Sequence, residues 1–170
     1  VTLRAKSDAI QKPRAGQFIF VRFPDNKTLD ESHPFTISSA PHEDVLRVTV
    51  KASGDFTRAL FTNLHSGSNA IVDGPYGMFD YKTGGQKQIW IAGGIGLTPF
   101  LSFLRDMDGS LAYDVDLYYT VRHKEEALFL NELESAAKRN PRLKAHIRFS
   151  ATDGSLTLEE ILRNAGGEVS

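Results

Sequence analysis

Cysteine is absent from this chain of 170 residues, methionine occurs twice and tryptophan once. The missing thiols exclude disulfide frameworks, thiolate nucleophiles, cysteine zinc sites and cysteine-ligated iron–sulfur clusters together, while leaving the compartment open. An excess of one charge is missing too. The 20 Lys and Arg against 21 Asp and Glu leave a net charge of -1, which gives no basic footprint for nucleic acid and no polybasic stretch for an anionic membrane surface. No apolar run approaches the roughly 20 residues that cross a bilayer. The start, Val1-Thr2-Leu3-Arg4-Ala5-Lys6, is strand-like rather than a charged signal sequence, and no initiating methionine precedes it. The chain is therefore expected to be a piece of a longer protein, cut at its N-terminal end. There is no G-x-S-x-G elbow and no P-loop, which disfavours hydrolase and NTPase chemistry. His42, His65, His123 and His146 show no metal-ligand spacing, so no metal site is expected.

What is present is ordinary globular material, 41% hydrophobic and 24% charged, with one stretch that stands out. Ile89-Trp90-Ile91-Ala92 is an apolar run suited to a buried parallel strand, and it leads straight into Gly93-Gly94-Ile95-Gly96-Leu97-Thr98-Pro99. Glycines let the backbone turn sharply and approach a ligand without a Cβ in the way. Thr98 can cap a following helix and Pro99 fits its first turn, so free amides and the positive dipole end point back at whatever the turn holds. A pyrophosphate fits such a place. The plain alternative is a tight strand-to-helix turn, because G-x-G-x-x-G started at Gly94 meets Pro99 where it needs glycine.

Two rhythms divide the chain. Up to about residue 82 short alternating strands at Val1 to Ala5, Gln17 to Phe23, Phe35 to Ser39, Leu46 to Ala52 and Asn69 to Asp73 predict a small antiparallel barrel. One helix, Thr57 to Leu64, interrupts it, capped by Thr57. After Tyr81 to Lys87 the pattern becomes strand 88–92, helix 98–107, strand 114–121, helix 125–138, strand 144–150 and helix 157–164. That alternation predicts a parallel sheet covered on both faces, with ligands at the carboxyl ends of its strands. The expected domains are 1–83 and 88–170. The tail from Asn164 to Ser170 ends where another strand could follow, so the second domain is expected to be incomplete.

Three further segments carry chemistry-bearing residues. His33-Pro34-Phe35-Thr36-Ile37-Ser38-Ser39 puts a possible cation, an aromatic and three hydroxyls on one extended run, with Phe35 and Ile37 expected on one face, Thr36 and Ser38 on the other. Gly54-Asp55-Phe56-Thr57 places a glycine and a hydroxyl at a helix start, a second anion-competent position. Asp73-Gly74-Pro75-Tyr76-Gly77 reads as a turn closing the barrel. Each has a bland reading alone: an edge strand, an ordinary N-cap, a structural turn.

In this order the four segments resemble the ferredoxin–NADP reductase superfamily, in which a flavin-binding barrel precedes a nicotinamide-binding α/β domain. H-P-F-T-x-S-S, G-D-F-T, D-G-P-Y-G and G-G-x-G-x-T-P look like its ferric reductase and NADPH oxidase branch, and Ser150-Ala151-Thr152-Asp153-Gly154 is similar to bacterial ferric-reductase-like proteins. The resemblance implies FAD and NAD(P)H as cofactors. It puts His33 near the flavin phosphates where many relatives carry arginine, Phe35 against the isoalloxazine, and the Thr36 hydroxyl, the one catalytic candidate, at the flavin's reactive edge. Pro34, Ser38 and Ser39 complete that segment. Gly54 and Thr57 would hold the FAD pyrophosphate; Gly93, Gly94, Gly96, Thr98 and Pro99 would do the same for the nicotinamide cofactor. Gly74, Pro75, Tyr76 and Gly77 would lie at the seam between domains.

Hydride would pass from nicotinamide to flavin, which can release electrons singly. With no cysteine cluster, the resemblance implies that the next carrier is haem in a transmembrane segment of the same parent chain, at the cytoplasmic face of a membrane, or an external ferric acceptor. The chain departs from the pattern in lacking the C-G-P strand and aromatic terminus that normally close the second domain, and the first barrel strand. Ala151 stands where NADPH-preferring relatives often have arginine, which leans to NADH, although Arg122 and Arg148 could meet a 2′-phosphate. The rival readings are a catalytically inactive reductase-fold binding module, a soluble flavin reductase and a flavohaemoglobin-type partner.

Overall fold

The computed structural model describes residues 1–5, 11–107 and 111–165. They form two compact units: Val1–Thr83 with Thr98–Asp106, and Gly84–Leu97 with the residues from Met107 on. An antiparallel β region thus precedes a parallel-sheet α/β region, the fold class that the two rhythms of the sequence predict. Packing groups residues 98–106 with the antiparallel unit, while alternation along the sequence had put them in the second half.

In the first unit β1 (Thr2–Leu3) pairs with β4 (Leu46–Arg47), and β2 (Phe18–Arg22) lies between β3 (His33–Thr36) and β5 (Ile71–Tyr76). All pairings are antiparallel, and an isolated bridge joins Ile37 to Val48. Strand alternation sets the core. Ile19 and Val21 of β2 point inward with Phe23, Leu29, Ile37 and Val48, and Leu60 of α1 (Asp55–Asn63) covers them. Each fully buried branched or aromatic side chain contributes about 2 kcal/mol.

Three expectations about this unit change. The helix begins at Asp55 with Gly54 as its N-cap, and Thr57 is the third helical residue rather than the cap. D-G-P-Y is not a terminal turn but the middle and end of β5. Two steps along β2, Phe20 to Phe18, face three along β5, Asp73 to Tyr76. That bulge at Gly74–Pro75 on an edge strand is where a sheet tolerates proline. The strand expected over 35–39 is regular from His33 to Thr36; Ile37 continues it as an isolated bridge to Val48, and Ser38 is buried.

The helix α2 (Thr98–Asp106) belongs to this unit through its aromatic face. Phe103 packs on Phe79 and Tyr81 at 5.1 and 5.0 Å between ring centroids, and the Tyr81 hydroxyl donates to Asp106 at 2.8 Å. Gly16 lies beneath them with φ of 88°; a Cβ there would stand 2.2 Å from the Phe79 carbonyl oxygen.

The second unit is a parallel sheet of β6 (Lys87–Gly93), β7 (Asp114–Val121) and β8 (Leu143–Phe149), in that order. Trp90, Leu117 and Tyr119 are buried in it, and α3 (Leu130–Arg139) packs on β8 with Leu133 fully buried. On the opposite face Tyr118 of the central strand is buried, while Ile91 of the edge strand is 55% exposed. The helix expected over 125–138 starts only at Leu130. Lys124–Glu126 form a separate 3-10 turn, Phe129 takes a left-handed φ of 60°, and the Leu128 amide donates to the Tyr119 hydroxyl, tying the connection to β7. A short helix α4 (Ser150–Asp153), not expected from the sequence, follows β8 directly, before α5 (Leu158–Asn164).

Candidate functional site

In the antiparallel unit the structure brings together two of the four segments. The His33 ring of β3 stacks on Phe56 in the first turn of α1 at 3.7 Å, and Phe35 lies 6.4 Å from the same ring. Phe56 is therefore the residue that joins H-P-F-T to G-D-F-T. Nothing in local spacing assigned it that task, although an aromatic between a glycine N-cap and a threonine was the available signal. His33 Nε2 is buried without a hydrogen bond among the described residues, with Glu31 Oε2 at 3.4 Å. Thr36 is half-buried and pairs in register with Phe18, beside the ring cluster of Phe18, Phe20 and Tyr76.

The start of α1 is an open anion-competent site. The amides of Asp55, Phe56 and Thr57 have no intrahelical acceptor, and the dipole end is positive. Gly54 has an ordinary φ of -112°, and nothing lies within 4 Å of a Cβ built on it. Neither conformation nor packing within the described residues requires glycine at this position. The Thr57 hydroxyl closes the loop, accepting from the Ser53 and Gly54 amides at 2.9 Å and donating to the Gly54 carbonyl at 3.0 Å. Arg58, which belongs to none of the sequence motifs, donates to the Ser53 carbonyl and to Asp55, both at 2.9 Å, and so holds an exposed guanidinium beside the same turn.

Ser38 and Ser39 are both 1% exposed. The Ser38 hydroxyl donates to the Arg47 carbonyl at 3.2 Å, and Ser39 Oγ accepts from the Arg47 amide at 3.1 Å, so these side chains brace β3 against β4. Gly74 and Gly77 have φ of 129° and 98° and lie close to Ile19 and Phe18, which makes them glycines of the fold. Tyr76 donates to Asp73 at 2.9 Å, and that bond, with partial desolvation and the carboxylate charge, raises its phenol above the ordinary value.

In the parallel unit, register puts Gly93, Thr120 and Arg148 side by side, so the glycine turn lies at the carboxyl edge of the sheet. Gly94 has φ of 50°, and a 3-10 turn, Gly94–Leu97, runs directly into α2. The turn, and not Thr98, lies directly after β6; Thr98 is buried and is preceded by helical turn rather than capping it. As at Gly54, nothing lies within 4 Å of a Cβ built on Gly93, Gly94 or Gly96. Arg122 is exposed just past β7, its carbonyl accepting from the Ala151 amide at 3.1 Å. Arg148 is spent within the protein on the Asp153 carbonyl, at 2.7 Å, and on Glu160. Of the two arginines considered for a 2′-phosphate, Arg122 is the one left exposed at the sheet edge. Asp153 accepts from the Phe149 amide at 2.9 Å, which holds its carboxyl below the usual value, with Thr152 and Arg148 assisting. No cluster of side chains suited to a metal ion occurs among the described residues, and none of their helices is long and apolar enough to cross a membrane.

One glycine-led helix start thus lies among the antiparallel strands, and one glycine-led 3-10 turn lies at the edge of the parallel sheet. Residues 1–80 match the family described as FAD-binding domain, and residues 90–160 match the oxidoreductase NAD-binding domain. The chain thus carries an FAD-binding domain and an oxidoreductase NAD-binding domain of the ferredoxin–NADP reductase-like type, with FAD and NAD(P) as the cofactors of such domains. It is 40% identical over 111 residues to NADPH oxidase 3 of Rattus norvegicus, covering 56% of this chain and 19% of that protein. Methane monooxygenase component C of Methylosinus trichosporium is 28% identical over 143 residues, 82% of this chain and 41% of that one. The chain thus spans less than half the length of these relatives. In fold it is similar to a ferredoxin–NADP+ reductase of Neisseria gonorrhoeae solved with bound FAD and NADP, with a TM-score of 0.75 and 22% identity over 96% of this chain and 68% of that one.

Proposed function

We propose that the chain is the cofactor-binding part of a ferric-reductase-like oxidoreductase, which passes electrons from NAD(P)H through FAD to haem in a transmembrane segment of the same parent chain, or to an external ferric acceptor. The parent protein would hold this part at the cytoplasmic face of a membrane. The observation that carries the reading is the pair of glycine-led helix starts with open space where a Cβ would be, at Gly54 and at Gly93 to Gly96. Likeness to NADPH oxidase 3 over 56% of the chain supports the ferric reductase branch.

When bound, the two cofactors supply hydride transfer and one-electron release. The protein supplies position and charge. The α1 amides, with Gly54, Thr57 and the Arg58 guanidinium, receive the FAD pyrophosphate. His33 and Pro34 flank it, and Phe35 and Phe56 offer ring faces. Thr36 directs its hydroxyl to the reacting edge, while Ser38 and Ser39 hold the strand from behind. Gly74, Pro75, Tyr76 and Gly77 shape the adjoining edge. Gly93, Gly94 and Gly96 receive the nicotinamide dinucleotide phosphates, Thr98 and Pro99 anchor the helix that follows, and Arg122 meets the adenosine end.

The test is a titration of the 170-residue chain with FAD, NADP+ and NAD+, read by flavin fluorescence and calorimetry. Saturable one-to-one binding of FAD and of one nucleotide is expected; binding of neither by folded protein refutes the proposal.

A further inference from the structure

The turn that follows β8 is built around a side chain of β8 itself. Arg148 Nη1 donates to the Asp153 carbonyl at 2.7 Å and reaches the Gly154 carbonyl at 3.4 Å, while Nη2 is bonded to Glu160 of α5. Those carbonyls close α4, a helix too short to satisfy them itself. Gly154 ends it with a left-handed φ of 74°. Asp153 folds back on the strand end, accepting from the Phe149 amide at 2.9 Å, and the Thr152 hydroxyl donates to the Phe149 carbonyl at 3.1 Å. Residues 150–154 are thus wound about the Arg148 guanidinium.

The same turn is tied to the neighbouring strand. The Ala151 amide donates to the Arg122 carbonyl at 3.1 Å, one residue past the end of β7 at Val121. The main chain of Arg122 is therefore held by the turn, while its side chain is exposed and has no ion pair among the described residues. Glu160 is taken up by Arg148, and Asp153 by the Phe149 amide. A guanidinium at the carboxyl edge of a parallel sheet is suited to a phosphate of a bound dinucleotide. Ala151 acts here through its main-chain amide, which any residue but proline supplies, so its small side chain does not decide the nucleotide.

We infer that Arg148 is a positioning residue for Arg122: it orders the Ser150–Gly154 turn, the turn holds the Arg122 main chain, and Arg122 selects a nicotinamide dinucleotide bearing a 2′-phosphate over one without it. This rests on the functional reading above. The experiment is calorimetric titration of the intact chain with NADP+ and with NAD+, which differ in that phosphate alone. The unmodified chain should bind NADP+ about fivefold tighter than NAD+, or more. Arg122→Ala and Arg148→Met should each bring the ratio to about one, with NAD+ affinity kept within about twofold. Arg148→Lys, which keeps a charge and donors for the two carbonyls, should restore most of the ratio. In the Arg122→Ala background, Arg148→Met should not change the ratio further, because the two residues act in series. A lesion of structure alone would lower both affinities together and leave the ratio intact. Equal affinities in the unmodified chain, a ratio that survives Arg148→Met, or a further change in the double variant overturns the inference. If Arg148→Met does not fold by circular dichroism, Asp153→Ala decides, and it too should bring the ratio down. Failure of the unmodified chain to bind either nucleotide is a different result: it refutes the functional reading, and this inference falls with it.

Discussion

Gly16 and Gly96 are both glycines at turns, yet their surroundings are opposite. A Cβ on Gly16 would strike the Phe79 carbonyl at 2.2 Å and the Phe103 ring at 2.6 Å, and its φ is 88°. Gly96 meets nothing within 4 Å and lies outside the left-handed region. The first is fixed by the fold, and the second is left open by it. The same division separates Gly74 and Gly77 from Gly54 and Gly93, so a motif glycine becomes evidence for a cofactor only when the protein itself does not require it.

The strongest way to break the comparison is a matched pair of alanine variants. Gly16→Ala should cost about 3 kcal/mol or more, from strain and overpacking, and Gly93→Ala should stay within about 0.5 kcal/mol, both read by chemical denaturation. Equal losses would erase the distinction. Next in size, Gly96→Val should weaken NADP+ and NAD+ binding at least tenfold, about 1.4 kcal/mol, without moving the denaturation midpoint. A midpoint shift with binding retained would return Gly96 to the structural class.

A smaller effect sharpens the flavin side. Phe56→Leu keeps an apolar side chain in contact with the core but removes the ring that stacks on His33. FAD affinity should fall about fivefold, about 1 kcal/mol, with NADP+ affinity of flavin-free protein unchanged. Unaltered FAD affinity would remove Phe56 from the site.

The smallest effect concerns acid. Asp153 has its folded-state pKa lowered from 3.8, chiefly by the Phe149 amide. Its contribution is therefore complete above the unfolded value and lost as pH falls through the lower folded one. Asp153→Asn should flatten the decline of stability below pH 3.8, as followed by acid denaturation, and leave the curve at neutral pH with its former slope.

Much of this was legible in the residues, and what was not has a common cause. The alternation in Phe18–Arg22 and the apolar run before Gly93 named their strands correctly, because period and turn chemistry are local properties. The affiliation of α2 was not local. Its helical period was visible, but whether Phe100 and Phe103 meet the sheet beside them in sequence or Phe79 and Tyr81 is decided by packing. The burial of Ser38 and Ser39 was not legible either, because their hydroxyls are bonded to Arg47, a partner eight and nine residues away. Phe56 and Arg58 escaped notice because neither belongs to a motif taken alone; they matter through His33 and Ser53.

The most direct test is a calorimetric titration of the unmodified chain and of Gly96→Val with FAD and with NADP+ and NAD+. The account predicts one FAD and one nucleotide bound per unmodified chain, and a Gly96→Val protein that keeps FAD but loses the nucleotide. Folded protein that binds neither, or a Gly96→Val variant that binds nucleotide as tightly as before, would contradict it.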